Sequence, residues 1–362
     1  METSAALKTR RFPCGQCGAQ LEFKPGPSAL RCPYCAHSQP IPHETSGVVE
    51  LDFSRWRQEA VAPRSTAAAI SCSGCAARFE LRPEEASGSC PFCGGHVVVA
   101  SPEDERLAPG SLLPFQIDAA EARRRFLAWI SGRFWAPRHL RQLVSEVGGL
   151  RGVYAPHWTY DAQTTTRYQG KVGVDRTETQ TFTDASGTSR TETRVVTDWR
   201  PVAGEVQVPF DDVLVLASRS LPSGYAEAMQ GWSLPALVTY RDEYLSGFLA
   251  LRYDLGLEEG LEEAKRRMDV IIDQKIAMEV GGNHQVIAEK ETDYAAITFK
   301  HLLLPLWSGA YRYRGKVWPY LVHGQSGEIQ GAVPVSAFKV ALAVVLAALA
   351  VALIVWFAGQ RG

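Results

Sequence analysis

The longest uniformly hydrophobic stretch of the chain lies near its C-terminal end. Residues 340–359, VALAVVLAALAVALIVWFAG, run for 20 positions without a charge and without a polar face. A helix of about 20 residues spans about 30 Å, the hydrocarbon thickness of a bilayer. Lys339 and Arg361 flank the run, while Trp356 and Phe357 fall where interfacial aromatic residues are common. The pattern predicts one transmembrane helix rather than a buried core helix and, because three residues follow it, a tail-anchored protein.

Two further segments place apolar residues at helical spacing. In the first, Asp118 stands at an N-cap position with Glu121 three residues later, and apolar residues follow to Ile130. The second segment, 255–280, ends at a Gly281–Gly282 pair that is typical of a helix C-terminus. Its expected buried face consists of Leu257, Leu261, Ala264, Met268, Ile271 and Ile272.

From residue 152 to about 215 the pattern changes to the alternation of β-strands. The segment RTETQTFTDASGTSRTETRVV (176–196) alternates around a DASG turn and is polar on both faces. It predicts a hairpin that projects into solvent with a weakly specified register. Its exposed edge is of a kind that accepts partner strands, although a solvated hairpin is the simpler interpretation. Residues 297–334 return to strands, so 112–338 is expected to be an α+β domain with mainly antiparallel strands, preceded by a linker at 101–111.

All the cysteines of the chain form a duplicated motif. There are eight, and both copies have the spacing Cys-x2-Cys-x14-Cys-x2-Cys. Pairs of this kind bring four thiolates to one tetrahedral Zn²⁺, with Zn–S near 2.3 Å. We therefore predict two small zinc ribbons, at 12–41 and 71–100, separated by a linker at 42–70. The expected ligands are Cys14, Cys17, Cys32 and Cys35 for the first Zn²⁺ and Cys72, Cys75, Cys90 and Cys93 for the second.

Other uses of these cysteines fit the sequence less well. As disulfides, the cysteines would form four Cys-x-x-Cys bridges, and bridges of this type are usually redox-active. A thioredoxin-like redox role also needs a βαβ context, which neither unit offers. Pairing across the two units is an alternative, but the repeated spacing favours two self-contained sites. Four protein ligands leave no open coordination position, so both metal ions are expected to be structural.

Charge and the N-terminus bear on location. The chain has 362 residues and a formal net charge of −1, so it is not globally basic. Residues 1–14 contain no apolar segment of the secretory type. Reduced, metal-binding thiols are typical of a cytosolic compartment. We therefore expect a single-pass protein of the cell membrane with everything before Lys339 in the cytoplasm. Small residues of the helix at four-residue spacing give only a weak suggestion of self-association.

Motifs for enzymatic chemistry are missing from the sequence. It contains no GxxxxGK[ST] phosphate loop, no GxGxxG motif after a strand, no GxSxG elbow and no HExxH. The eight histidines are scattered along the chain, and the thiols are expected to be occupied by zinc. The sequence therefore predicts a protein that is not an enzyme.

Three strand motifs and the terminal span carry a resemblance to a known family. GVYAPHWTYDA (152–162), TFKHLLLPLW (298–307) and YRGKVWPYLVHGQSGEIQG (313–331), together with the paired cysteines, resemble bacterial double-zinc-ribbon membrane proteins. These proteins are often labelled primosomal protein N′ (replication factor Y)-like helicases or transcription-factor-IIB-type zinc-ribbon proteins. A helicase label implies ATPase motifs, which this sequence does not contain. The resemblance implies a recruiting role at the membrane, with flotillin-like (SPFH-domain) proteins as candidate partners.

Two functions of different classes follow from these features. The first is a tail-anchored, cytoplasmic-facing zinc-ribbon adaptor or scaffold that binds a protein partner at the membrane. The second is a membrane-tethered nucleic-acid-binding protein, related to replication or transcription. Residues 1–45 are mildly basic through Lys8, Arg10, Arg11, Lys24 and Arg31. Acidic residues outnumber basic ones in 71–100, which opposes a nucleic-acid footprint and favours the adaptor.

Overall fold

The fold is seen in a computed structural model of the chain. It describes residues 7–10, 12–42, 48–59, 69–71, 78–80, 87–89, 96–99, 107–137, 140, 150–183 and 189–360. The strands are β1 (Leu7–Arg10), β2 (Glu22–Lys24), β3 (Ala29–Arg31), β4 (Ser38–Pro40), β5 (Leu51–Asp52), β6 (Ala69–Ser71), β7 (Arg78–Glu80), β8 (Ser87–Ser89), β9 (His96–Val99), β10 (Ser111–Leu112), β11 (Arg151–Thr183), β12 (Ser189–Leu216), β13 (Val238–Thr239), β14 (Leu249–Ala250), β15 (His284–Tyr313), β16 (Lys316–His323) and β17 (Ile329–Gly331). The helices are α1 (Phe53–Glu59), α2 (Ala119–Ser131), α3 (Ser223–Glu227), α4 (Leu257–Val280) and α5 (Ala337–Gly359).

The centre of the molecule is a mainly antiparallel sheet, as the sequence predicts. Three long strands dominate it, with β11 between β12 and β15, and the short strands β10 and β13 continue the sheet beyond β15. Strand β11 has 33 residues, a contour of about 100 Å at about 3.3 Å per residue. Register shifts near Asp161 and Gly170 interrupt the long ladders. The alternating polar pattern predicts the hairpin of β11 and β12, but it does not predict strands of this length.

Helix α4 covers one face of this sheet. Its buried residues include Leu257, Leu261, Ala264, Met268, Ile272 and Ile276. The helix comes close to the sheet at Gly260, where a Cβ atom would lie 2.5 Å from the Tyr160 hydroxyl and 2.9 Å from Trp158 Cδ1. Both aromatic side chains donate hydrogen bonds to the start of the helix, Trp158 to the Leu255 carbonyl and Tyr160 to that of Leu257.

The predicted face of α4 needs one correction. Ile271 was expected to be buried, but its side chain is 47% exposed. Ile276 takes the next buried position after Ile272, because residues four apart lie on one face of a helix whereas neighbours diverge by about 100°. The prediction extended the face by one residue too many at a pair of adjacent isoleucines.

Helix α2 follows its predicted boundaries. The Asp118 carboxylate accepts a hydrogen bond of 2.9 Å from the backbone N–H of Glu121, which confirms the predicted cap. On its buried face, the ring of Phe126 stacks on Tyr320 of β16 with a centroid distance of 3.5 Å. The cap and this aromatic contact fix α2 against the end of the sheet where β15 and β16 meet.

The segments predicted as linkers contain ordered elements that belong to the central sheet. Within 42–70, β5 pairs antiparallel with β15, and Phe53 at the start of α1 packs edge-on against Phe299. The segment 101–111 ends at Ser111, the first residue of β10, and β10 pairs parallel with β15. Strands of two residues are too short to produce a recognisable alternation, so the sequence pattern did not reveal them.

Helix α5 contains the predicted hydrophobic span. Among the described residues, it is the one helix long and apolar enough to cross a membrane. The window Ala337–Ile354 has a mean hydropathy of 2.7 and is not buried within the molecule. This agrees with a single-pass membrane anchor.

Candidate metal centre

The four cysteines of the first motif lie together near the N-terminus. Their sulfur atoms are all within 4.8 Å of one another. Cys14 Sγ is 3.5 Å from Cys35 Sγ, and Cys17 Sγ is 3.5 Å from Cys32 Sγ. A disulfide requires about 2.05 Å, whereas a tetrahedral Zn²⁺ with bonds of about 2.3 Å separates its sulfur ligands by about 3.8 Å. These four thiols therefore fit a Zn²⁺ site and are not disulfide-bonded.

Each pair of cysteines sits on a turn of the same design. After Cys14, the N–H of Gly18 donates to the Cys14 carbonyl at 2.9 Å. After Cys32, the N–H of Ala36 donates to the Cys32 carbonyl at 3.1 Å. The last residue of each turn is left-handed, with φ of 74° at Gly18 and 60° at Ala36. In both turns a backbone N–H also points at the first sulfur, at 3.4 Å from Gln16 and 3.5 Å from Cys35.

These backbone donors act on the ionisation of the thiols. The N–H of Cys35 lowers the pKa of Cys32 to about 6, against the opposing effect of burial. The N–H of His37 likewise acts to lower the pKa of Cys35, but desolvation and the neighbouring thiols raise that pKa to about 12. The cluster therefore favours ionisation of the Cys32 thiol and opposes ionisation of the Cys35 thiol. A divalent cation removes this conflict, because it compensates the accumulated charge.

The candidate metal centre is continuous with the hydrophobic core of the sheet domain. Cys14 and Cys32 are buried in a cluster that also contains Phe23, Tyr244 and Phe248. The ring of Phe23 contacts that of Tyr244 edge-on, with centroids 5.2 Å apart. The other two ligands, Cys17 and Cys35, are exposed. One side of the centre is thus part of the domain core, while the other faces the surroundings.

Hydrogen bonds to backbone carbonyls join the first four-cysteine unit, residues 12–41, to the segment 246–250 and to Phe115. The N–H of Phe23 donates to the Ser246 carbonyl at 2.9 Å, and the Ser246 hydroxyl donates to the Leu21 carbonyl at 2.7 Å. The N–H of Gly26 donates to the Phe115 carbonyl at 3.2 Å. Because a polar segment buried at an interface needs partners for its backbone, these bonds fix the first four-cysteine unit in one position on the domain.

The predicted second ligand set, Cys72, Cys75, Cys90 and Cys93, lies outside the described residues. The strands around it are described, and they repeat the register of the first four-cysteine unit 58 positions later. In the first unit Ala29 pairs with Pro40 and Arg31 with Ser38; in the second, Ser87 pairs with Val98 and Ser89 with His96. The isolated bridge between Pro13 and Gln20 likewise corresponds to the pair Ser71 and Arg78. The sequence repeat is therefore also a repeat of strand pairing.

The second unit contacts the same segment of the domain as the first. Ser87 of β8 is fully buried, and its hydroxyl donates to the Phe248 carbonyl at 2.8 Å. The same hydroxyl accepts from the Ala250 N–H, also at 2.8 Å. Sequence reasoning missed both Ser87 and Ser246, because a buried serine that bonds to backbone has no motif.

A second group of potential ligands also escaped sequence reasoning. Carboxylate oxygens of Glu50, Asp161 and Asp211 lie within 4.8 Å of one another. The ammonium group of Lys300, itself 7% exposed, lies 2.9 Å from Glu50 Oε1 and 2.7 Å from Asp212 Oδ1. Since a buried cation already compensates this acidic group, we assign it as an ion-pair network rather than a metal centre.

Comparison with known proteins gives one relative that bears on this chain. The uncharacterized protein YdjG of Bacillus subtilis (strain 168) is 24% identical over 269 residues, which cover 74% of this chain and 72% of that protein. No family model matches the chain. No solved structure matches it either.

Proposed function

We propose that the protein is a zinc-stabilised, membrane-anchored adaptor that binds a protein partner at the membrane surface. The observation that carries this proposal is the position of the Cys14–Cys17–Cys32–Cys35 cluster within the core of a domain that continues into α5. Four thiolates fill the coordination sphere of Zn²⁺, so the metal holds a surface in shape and takes no substrate. The role proposed here is therefore binding and not catalysis.

A second structural Zn²⁺, bound by Cys72, Cys75, Cys90 and Cys93, is part of the proposal. Its support is the repeated strand register around that motif. We also propose that the domain faces the cytoplasm of a bacterial cell, since thiolate zinc centres are stable where thiols stay reduced. The resemblance to double-zinc-ribbon membrane proteins adds an SPFH-domain protein as the candidate partner.

The exposed side of the first ribbon offers a contact for such a partner. Tyr34 stands between Pro33 and Cys35 on the second turn, and it is 83% exposed. Its equivalent in the second motif, Phe92, is also aromatic. Aromatic side chains on rigid turns are frequent hot spots of protein interfaces, because they bury a large area with little loss of conformational entropy. We propose Tyr34 as the anchor of the partner contact.

Photocrosslinking in intact cells tests the adaptor. With a photoreactive amino acid at Tyr34, we expect a discrete crosslinked protein. We expect substantially less at Val195 of β12, which lies in the β11–β12 hairpin and is 68% exposed. In detergent-solubilised membranes, Tyr34→Ala is expected to reduce recovery of the same protein about tenfold, as loss of an aromatic hot spot does. Zinc content of the variant serves as the control for folding. Crosslinks of equal yield at both positions, or unchanged recovery with Tyr34→Ala, would refute this contact.

The same crosslinking experiment distinguishes the protein-binding adaptor from the nucleic-acid-binding alternative. Lys24 and Arg31 lie near each other on the first ribbon, but Glu22 pairs directly with Arg31 across the hairpin. A crosslinked nucleic acid in place of a protein, together with salt-dependent binding of a DNA or RNA probe, would favour the alternative.

A further inference from the structure

A groove lies where α5 leaves the domain. It is formed by the segment after α2, by the turn between β15 and β16, and by the first turns of α5, and its volume is about 600 Å³. Phe134, Trp135, Arg314, Phe338 and Lys339 are among its lining residues. The groove opens beside the helix that is apolar enough to cross a membrane, so it lies at the level where that helix would enter a bilayer.

Hydrogen bonds hold the walls of this groove in place. The Ser336 N–H donates to the Trp135 carbonyl at 2.8 Å. The ammonium group of Lys339 donates to the carbonyls of Phe134 and Ala136, at 2.6 Å and 2.8 Å. Because Ser336, just before α5, and Lys339, in its first turn, both bond to the segment 134–136, the groove is a feature of the packed structure.

The groove is lined by large apolar side chains that the domain leaves uncovered. Phe134 is 74% exposed, Trp135 45% and Phe338 76%. They continue along α5 into Leu342 and Leu346, which also line the groove. Apolar and aromatic side chains in this position are typical of the interfacial belt of membrane proteins.

The rim of the groove carries positive charge. Arg314 and Gly315 form the tip of the β15–β16 hairpin, and both have positive φ, 49° and 77°. Arginine is an unusual residue in this left-handed conformation, which Asn or Gly adopts more easily. Lys316 does not line the groove itself, but it pairs across the turn with Tyr313, which does, and its ammonium group lies 4.9 Å from the centroid of the Trp318 ring. None of the described lining residues is acidic.

We propose that this groove binds the headgroup and glycerol region of an anionic phospholipid. The phosphate would meet Arg314 and Lys316, while the acyl chains would lie along the exposed side of α5. Apolar walls continuous with the membrane helix, together with a cationic rim, match an anionic lipid better than a free phosphate, which would leave the aromatic side chains exposed. The inference rests on the membrane anchorage of the proposed function, but it is independent of the protein partner.

The test is native mass spectrometry of the full chain, purified in a non-ionic detergent and titrated with dioleoyl phosphatidylglycerol or dioleoyl phosphatidylcholine. We expect preferential retention of phosphatidylglycerol. The double variant Arg314→Asn/Lys316→Gln, in which Asn suits the turn, is expected to bind it about tenfold more weakly. Arg314→Lys/Lys316→Arg is expected to retain binding, and Arg200→Gln, an exposed arginine of β12, is the matched control.

Several outcomes would overturn the proposal. They are equal retention of the two lipids, unchanged affinity in the double variant, an equal loss in Arg200→Gln, or displacement of the lipid by millimolar inorganic phosphate. Carbonate extraction of membranes from cells that produce the protein shows whether α5 is inserted. If carbonate released the protein, both the membrane-anchored adaptor and the lipid site would lose their basis. Normal partner recovery by the double variant, with lost lipid binding, would leave the adaptor intact and support the lipid site separately.

Discussion

The two ends of the central sheet differ although the same strands build them. At the base, Tyr154, Trp158 and Tyr160 of β11 are all at most 1% exposed. In the distal half, Phe182 of β11 is 54% exposed and Val195 of β12 is 68% exposed. At the base β11 pairs with β15 on one side and, on the other, with the short strand β14 at Tyr154 and with β12 from His157 onward. Beyond Gly173 the described pairing of β11 is with β12 alone.

This difference separates two ways of specifying a strand register. At the base, a shift by one residue would move buried aromatic side chains to the opposite face, so the core fixes the register. In the distal half, a shift would exchange one polar face for another. There the register is set by the hydrogen-bonded ladder and by cross-strand contacts. One such contact is the ion pair of Arg176 Nε with Asp198 Oδ2, which are 2.7 Å apart. The base should therefore be sensitive to substitution, and the distal half tolerant.

The largest expected effect comes from the candidate metal centre, whose buried cysteines lie in the same core cluster as Tyr154 of the base. We expect Cys32→Ser to lose one zinc per chain and to show a strongly lowered thermal midpoint, because structural Zn²⁺ contributes on the order of 10 kcal/mol to small ribbons. Cys90→Ser, at the equivalent position of the second motif, is expected to lose one zinc as well. Elemental analysis and thermal unfolding in detergent micelles measure both effects. Full zinc content in Cys32→Ser would contradict this site.

The next effect concerns the aromatic packing of the base. Phe299 is fully buried and contacts Phe53, Trp56 and Trp158 edge-on. We expect Phe299→Ala to reduce the free energy of unfolding by about 3–5 kcal/mol, because it leaves a cavity in a packed core. Denaturant titration of the purified protein measures this change. A loss below about 1 kcal/mol would mean that the base is not the stabilising region described here.

A smaller effect should appear on acidification. Burial lowers the pKa of His323 to about 4 from an ordinary value of 6.5, and its Nδ1 accepts backbone N–H bonds from Gln325 and Ser326. Between these two values the unfolded chain binds a proton that the folded chain does not, so stability falls as the pH decreases from 6.5 towards 4.

Comparison of the wild type with His323→Gln isolates this contribution, because acid also affects the cysteine cluster, which both proteins contain. At about pH 5 the single histidine should account for about 2 kcal/mol of lost stability. The loss of unfolding free energy between about pH 7 and about pH 5 should therefore be smaller in His323→Gln. His284→Gln, on the exposed distal sheet, is the control. Parallel pH profiles of wild type and His323→Gln would contradict the prediction.

The smallest effect is expected in the distal half. Phe182→Ala makes the same chemical change as Phe299→Ala, in the neighbouring strand of the same sheet. Since Phe182 is largely exposed, we expect a change within about 0.5 kcal/mol. The same denaturant titration applies. A loss comparable to that of Phe299→Ala would show that the distal hairpin is packed against something, and would remove the contrast between the two ends.

Periodicity explains what the sequence could predict. Three helices were predictable from local patterns. These patterns are the cap at Asp118, the buried stripe of α4 and the uniform hydrophobicity of α5, and each of them indicates a single helix. The first four-cysteine cluster was predictable for a similar reason, since its ligand spacing is itself the signal. Ile271 marks the limit of this reasoning, because periodicity alone did not decide which of two adjacent isoleucines faces the core.

The unpredicted features are contacts between distant parts of the chain. The hydroxyls of Ser87 and Ser246 donate hydrogen bonds to the carbonyls of Phe248 and Leu21, which are more than 150 positions away in the sequence, and no local pattern indicates such partners. Strand β5, with two residues, joins the sheet because Phe53 beside it finds a buried place near Phe299. The cationic tip at Arg314 depends on a turn conformation that its residue type disfavours. Such features arise from tertiary context, which a single sequence does not display.

The pairing of β11 has a consequence for the order of events during synthesis. Its distal half closes with β12 through a local hairpin, whereas at its base Arg151 lies opposite Ser308, which the ribosome adds only after α4. We expect the threonine-rich hairpin to form early and the aromatic base to remain open until β15 emerges, since non-local pairing is slow. A polar, charged hairpin is well suited to that interval, because such strands resist aggregation with other nascent chains.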